Sequence, residues 1–208
     1  MPDRFNLQKM NCITCPLNCE IKPKTSLRVS FCQNFCFGIW PEGSGYFSIG
    51  IVEGVLKQSH NYLYNGCVFV DFSISFLRLL MDRQWIDYLL ETRLNIIVVC
   101  DKHLQPLANY WLKNETGIFL IIYPNDSMPY VTEKIKNKFI GRGAVPVKGE
   151  TLSKLELNVL RELMAGRDCT SVAALFNIDI RSVYAAKQRV EKKMGNDVND
   201  LFRFSLAM

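Results

Sequence analysis

The stretch TSVAALFNIDIRSVYAAKQRVEKKMG, Thr170 to Gly195, decides how the last quarter of this 208-residue chain folds. It opens as a short apolar helix that buries Val172, Ala173 and Phe176. It pauses at Asn177-Ile178-Asp179-Ile180, with Ile178 as a plug, and continues as a long basic helix that Gly195 stops. Asp168 is placed to cap the first helix and Asp179 the second. On the second helix Val183, Val190 and Met194 share one face, so they pack inward. Arg181, Tyr184, Ala185, Gln188 and Lys192 fall at helical spacing on the opposite face. Between Arg181 and Lys193 stand five Lys or Arg and a single acid, Glu191.

A helix so divided presents its free face to a nucleic-acid groove. Lys187, Arg189, Lys192 and Lys193 can neutralise phosphates. Gln188 can pair with adenine, Arg181 with guanine or phosphate, and Tyr184 and Ala185 can touch thymine methyls. With Ser182 beside them, these nine residues are the candidate DNA contacts. Two tightly joined helices of this kind are the helix-turn-helix arrangement. Upstream, Ser153-Lys154-Leu155-Glu156 reads as a capping box for a further helix, with Val159, Leu160 and Leu163 as its stripe and Gly166 as its stop. Downstream, residues 197–208 carry Val198, Leu201, Phe202 and Leu206. That stripe serves either dimerisation or packing back onto the module.

Residues 152–201 resemble the LuxR-type (NarL/FixJ, GerE) helix-turn-helix family. The matching positions are Leu152-Ser153, Glu156, Val159-Leu160, Gly166, Val172-Ala173, Ile178, Ser182-Val183 and Lys193-Met194-Gly195. Carried over by position, Tyr184, Ala185 and Gln188 are the base-facing residues, and the last helix supports dimerisation. The family's usual Lys is Tyr184 here, its common His is Ala186, and its common Arg before the first Glu is Leu155. The resemblance therefore implies a DNA sequence different from that of typical members.

Residues 35–140 alternate apolar strand runs with amphipathic runs. The strands are expected at Phe35–Trp40, Cys67–Phe72, Leu94–Cys100 and Gly117–Tyr123. Helices are expected at Tyr46–Lys57, Ser75–Glu91, Leu104–Leu112 and Met128–Ile140. Continuous apolar strands separated by helices predict a parallel sheet covered on both faces. GRGAVPVKGE, residues 141–150, reads as a linker. The fold class is thus α/β plus all-α: a receiver-like parallel domain, then a four-helix module at 151–208. Residues 1–34 are a Cys-containing extension.

An α/β domain joined to such a module resembles a response-regulator receiver. Receivers need a phosphoacceptor Asp after the third strand, an acidic pair to hold Mg²⁺, a Thr or Ser, and a Lys. Asp71 in CVFVDF stands at the acceptor place. The first strand is followed by Trp40-Pro41-Glu42, with one acid. A receiver's second strand is hard to place between Ser59 and Gly66; the strand in the fourth place ends Cys100-Asp101, and that in the fifth Tyr123-Pro124-Asn125 without a Lys. A pseudo-receiver independent of phosphorylation follows, with Asp71 as an ordinary strand-end Asp. The phrases FGIWPEGSGYFSIGIVEGVL and QPLANYWLKNETGIFLIIY resemble the divergent fimbrial (common-pilus operon) and capsule regulators of enteric bacteria. That resemblance implies control of surface structures.

Cys12, Cys15, Cys19, Cys32 and Cys36 place five of the eight cysteines within twenty-five residues. C-x2-C can supply two corners of a metal site, but the spacing fits no standard four-ligand framework, and His60 and His103 are distant. Reduced thiols without a metal are expected, with a metal or redox sensor as the alternative. The net charge of +5 and the hydrophobic share of 49% suit globular domains with an acidic partner. No P-loop, G-x-S-x-G or H-E-x-x-H occurs, so neither an enzyme nor a cofactor is expected. The start lacks an apolar stretch, and the strand runs are too short to span a bilayer, so the expected location is cytoplasmic. The expected partners are double-stranded DNA and either a second copy or a response regulator. The alternative is an accessory protein that acts by pairing with such a regulator.

Overall fold

The computed structural model describes residues 9–15, 19–22, 36–43, 45–59, 63, 66–142 and 147–205. Cys32, Leu206, Phe35 and the middle of the expected linker lie outside them. In chain order the elements are β1 (Met10–Cys12), β2 (Glu20–Ile21), β3 (Phe37–Trp40), α1 (Gly45–Gly50), a π-helical segment (Ile51–Leu56), α2 (Lys57–Ser59) and β4 (Cys67–Phe72). A 3-10 turn (Ile74–Phe76), α3 (Leu77–Leu80), α4 (Gln84–Leu90), β5 (Asn95–Cys100), α5 (Gln105–Asn114), β6 (Ile118–Ile122) and α6 (Met128–Phe139) come next. The chain closes with α7 (Lys154–Met164), α8 (Cys169–Phe176), α9 (Ile180–Met194) and α10 (Val198–Phe204). Among the described residues no helix is long and apolar enough to cross a membrane.

The chain divides into two compact units that are not contiguous in sequence. The first takes Met1–Asp71, Arg83–Val99 and Glu115–Pro146, the second Phe72–Asp82, Cys100–Asn114 and Val147–Met208.

The sheet runs in the order β2-β1-β3-β4-β5-β6. β3 and β4 are parallel, as are β5 and β6. The Asn95 N–H donates to Gly66 O at 3.0 Å and the Asp101 N–H to Phe72 O at 3.2 Å, so β4 and β5 also run the same way. Alternation sorts the side chains by face. Phe37, Ile39, Cys67, Phe69, Ile97, Leu120 and Ile122 join one core with Ile51, Val55 and Leu56 of the π-helical segment and Val131 and Ile135 of α6. On β3, Trp40 alternates with that set and stacks on Trp85 of α4, ring centroids 6.0 Å apart and 14° from coplanar.

The expected all-parallel sheet gives way to a mixed one, because β1 and β2 form an antiparallel hairpin against β3. Part of the predicted 1–34 extension is therefore sheet. Flavodoxin-like receivers, with order 2-1-3-4-5, place a parallel strand on the far side of the first strand. Here β1 holds that side of β3 with the opposite direction. Strands of three and two residues are too short to show an alternation signal. The predicted helix Ser75–Glu91 is also broken, with Met81-Asp82-Arg83 non-helical between α3 and α4. Its apolar period continues across the break through Leu77, Leu80, Trp85, Ile86 and Leu89, all fully buried, so periodicity does not reveal it.

In the second unit the carboxylate of Asp101 caps two turns, accepting from the Ile74 and Leu104 N–H groups at 2.8 Å each. The Trp111 indole donates to Leu80 O at 2.9 Å and ties α5 to α3. Lys148, at the end of the predicted linker, is pinned to α5: its carbonyl accepts from Gln105 Nε2 and Asn109 Nδ2, both at 2.7 Å. Asn109 Nδ2 also reaches Glu150 O at 2.8 Å, and the Leu152 N–H donates to Pro106 O at 3.1 Å. His103 Nδ1 lies 2.9 Å from Met194 O at the end of α9 and 2.8 Å from Asn196 Nδ2.

Gly38 sets how closely the hairpin approaches β3. A Cβ there would stand 2.9 Å from Ile21 Cδ1 and 3.1 Å from Met10 Sδ. Both side chains are buried. Gly38→Val is expected to overpack this junction and lower unfolding stability by about 1–3 kcal/mol. Urea denaturation would check this, and an unchanged midpoint would mean that the hairpin does not pack there.

Candidate nucleic-acid interface

The local sequence builds α8 and α9 as expected from its caps. Asp168 accepts from the Ser171 N–H at 2.7 Å and Asp179 from the Arg181 N–H at 2.9 Å. Asn177 turns the chain with φ of 51°, a left-handed conformation that Asn tolerates better than most residues. Gly195 closes α9 with φ of 68°. Val159, Val172, Ala173, Val183 and Ala186 make the core of these helices, with Leu155, Leu163, Phe176 and Ile178 packed against it. Val190 and Met194 continue the buried side of α9.

The opposite side of α9 is open. Arg181, Ser182, Tyr184, Gln188 and Lys192 are exposed, and Ala185 is half-buried. Among the described residues Arg181 and Lys192 enter no ion pair. Ile180, at the start of α9, and Leu175 of α8 are exposed as well.

The other cations of α9 have partners inside the chain. Glu156, with 2% of its surface exposed, accepts from Arg189 Nε at 2.9 Å and Lys193 Nζ at 2.7 Å. Lys193 also donates to Thr151 O at 2.9 Å. The same carboxylate completes the capping box, taking the Ser153 N–H at 2.8 Å while Ser153 Oγ accepts from the Glu156 N–H at 3.2 Å. Arg189 keeps half its side chain exposed and can still offer N–H groups outward, whereas Lys193 is turned in. Lys187 leans toward Glu191 at 3.6 Å, and Glu191 in turn accepts from the Val198 N–H at 3.2 Å. The capping role of Glu156 is visible within four residues of sequence, whereas its grip on α9 joins residues 33 and 37 positions away.

The residues expected to form a pairing seam sit differently. Val198 and Leu201 are buried, and Phe202 lies half-buried under the Arg78 guanidinium at 4.5 Å. Phe204 is the exposed large apolar residue of α10.

Of the receiver-like positions, Asp71 is buried and Glu42 accepts from Asn11 Nδ2 at 2.7 Å. A buried ammonium near the end of β6 comes from α6: Lys134 Nζ bonds Ile121 O at 2.6 Å and Asp126 Oδ2 at 3.0 Å, over the Tyr123 ring. This lysine lies more than a full turn into the following helix and not directly after the strand, where a receiver carries its own. Among the metal-ligand candidates, Cys12 and Cys36 are buried, Cys15 is exposed and Cys19 is intermediate. Among the described residues no three His, Cys, Asp or Glu converge as a metal would require.

The family model described as EcpR N-terminal domain matches residues 11–139. The chain is 43% identical over 195 residues to the uncharacterized protein YqeH of Escherichia coli strain K12, covering 94% of this chain and 93% of that protein. Solved structures with likeness include two RcsB dimers bound to two parallel DNAs, with 17% identity, 77% and 81% of the two chains covered and a TM-score of 0.38. The Salmonella typhimurium RcsB response regulator gives 16%, 79% and 96%, with a TM-score of 0.33. Full-length FixJ from B. japonicum gives 17%, 78% and 80%, with a TM-score of 0.26.

Burial pushes the Glu156 carboxyl up, but Lys193, the Ser153 N–H and Arg189 outweigh it and hold the group below its ordinary range. A depressed carboxyl stabilises the fold fully above its unfolded value of about 4.3, and that contribution fades as pH falls through the folded value. Glu156→Gln is expected to cost about 2 kcal/mol at neutral pH and to flatten the acid limb of the stability profile. Thermal melts from pH 3 to 7 would check it. An acid limb identical to that of the parent would deny Glu156 this role.

Proposed function

The chain belongs to the family of the EcpR N-terminal domain, and from that premise we propose that it is a sequence-specific, DNA-binding transcription regulator. The observation that carries this reading is the open face of α9, where Arg181, Ser182, Tyr184, Ala185, Gln188 and Lys192 stand outward while Val183, Ala186, Val190 and Met194 are buried. Residues 152–201 act as a LuxR-type helix-turn-helix, with α9 in the major groove. Arg181 and Lys192 bind phosphates, Arg189 adds its outer N–H groups, and Gln188, Tyr184 and Ala185 meet base edges. Lys187 supplies a further cation at the rim, and Lys193 serves mainly to hold the helix through Glu156. Genes for surface structures such as fimbriae are the first targets to test, on the resemblance to enteric fimbrial and capsule regulators.

One module contacts about half a site, which is too little for discrimination in a genome, so the protein binds DNA as a homodimer or beside a response regulator. With Val198 and Leu201 buried in their own chain, pairing uses another surface, to which exposed Phe204 contributes. Regulation is independent of phosphorylation: Asp71 is buried, and the acid expected beside it, Glu42, is hydrogen-bonded to Asn11.

Charge reversal at Arg181 or Lys192 is expected to weaken binding to every duplex. Each lost phosphate contact should reduce the slope of log K against log salt by about one unit. Both side chains are exposed, so the melting temperature should hold. Fluorescence titrations across a salt series give the readout, and parental slopes would remove α9 from the groove.

Incubation with acetyl phosphate and Mg²⁺ is expected to leave the intact mass and the DNA affinity unchanged. An acid-labile phosphate mapped to Asp71 would overturn the phosphorylation-independent reading.

A further inference from the structure

Cys12 ends β1, and the antiparallel pairing of β1 with β3 sets it opposite Gly38, two residues beyond Cys36. The Ile13 N–H donates to Phe37 O at 2.7 Å and fixes the backbone between the two cysteines. Their sulfurs are 3.6 Å apart, with the Cys36 thiol donating to Cys12 Sγ. The Thr14 hydroxyl oxygen accepts from the Phe37 N–H at 2.9 Å and from the Cys12 thiol at 3.2 Å. Both cysteines are reduced and nearly sealed, at 7% and 3% exposure.

We propose that Cys12 and Cys36 form a reversible disulfide, which makes the β1–β3 junction a peroxide-responsive dithiol site. A disulfide bond is about 2.05 Å long. Starting from 3.6 Å, the sulfurs must close by about 1.5 Å. The two groups are also unequal, as such chemistry requires. The Cys36 thiol, with Thr14 and backbone donors, lowers the Cys12 thiol to about 5 against the opposing effect of burial. Cys12 is therefore the nucleophile and Cys36 the resolving thiol.

The small size of hydrogen peroxide suits so enclosed a pair. Cys12 thiolate attacks one peroxide oxygen, the O–O bond breaks, and Cys12 sulfenic acid forms with release of hydroxide. Cys36 sulfur then attacks Cys12 Sγ, the S–O bond breaks, and water leaves with the Cys36 proton. In net terms two thiols give two electrons and two hydrogens to one peroxide, yielding a disulfide and two waters. A dithiol such as dithiothreitol reverses the change by taking up the oxidation as its own cyclic disulfide.

The other buried cysteines supply internal references. Burial pushes the Cys67 thiol up to about 12, and burial with the Asp101 charge pushes Cys100 well above its usual value. Both should stay thiols under the same dose.

The test uses the full reduced chain, exposed to a few equivalents of hydrogen peroxide and quenched in acid. Remaining thiols are then blocked with N-ethylmaleimide under denaturing conditions and the peptides mapped without reductant. The expected product is a Cys12–Cys36 cross-linked peptide that disappears after dithiothreitol, with Cys67 and Cys100 blocked by maleimide. Cys36→Ser is expected to leave Cys12 as a sulfenic acid that dimedone traps. The wild-type map decides the matter by itself if that variant folds poorly. Maleimide on both Cys12 and Cys36 after peroxide is consumed would overturn the proposal. So would a dominant link from either one to Cys15, Cys19 or Cys32.

Discussion

Glu156 takes three donors at once: the Ser153 N–H at the start of α7, and Arg189 and Lys193 one turn apart on α9. A carboxylate this buried is costly unless its oxygens are paired, and here both are. The consequence is rotational. Two grips spaced i and i+4 stop α9 from rolling about its axis, and the apolar side of Val183, Ala186, Val190 and Met194 is held against the other helices. What remains outward is the row Arg181, Tyr184, Gln188 and Lys192. The candidate interface is thus a by-product of how the helix is fastened.

The same logic explains the sparse acids of α9. Glu191 is its single carboxylate, and it is used, accepting from the Val198 N–H at the start of α10. The cations therefore divide by structural role. Lys193 is fully committed, Arg189 is shared between Glu156 and solvent, and Arg181 and Lys192 are available to a polyanion. Just before Thr151, whose carbonyl Lys193 holds, Asn109 and Gln105 hold the carbonyls of Lys148 and Glu150 along α5. The four C-terminal helices thus pack in one compact unit with α3 and α5, whose sequence lies among the strands.

Much of α7, α8 and α9 was legible because their determinants are local. Caps at Ser153, Asp168 and Asp179, a left-handed stop at Gly195 and a 3.6-residue apolar period all act within a few positions. β4 was legible for a similar reason, as six consecutive buried residues between turns. What escaped notice depends on distant partners or on very short elements. Arg189 and Lys193 read as phosphate ligands until Glu156, more than thirty positions away, is placed beside them. The stripe Val198, Leu201 looks like a seam in isolation, yet the unit buries it. The hairpin of β1 and β2 offers five residues of strand in total, too few for a pattern. The dithiol pairing of Cys12 with Cys36 follows from that hairpin and was hidden with it.

Selection of bound duplexes from a random library by the full-length protein tests most directly whether α9 reads DNA. One enriched motif is expected, and Gln188→Ala should relax preference at a single base pair, a loss on the order of 1–3 kcal/mol, while leaving the flanking positions intact. A parental library with no enriched sequence, or a motif unchanged by Gln188→Ala, Tyr184→Ala and Arg181→Ala alike, would contradict it.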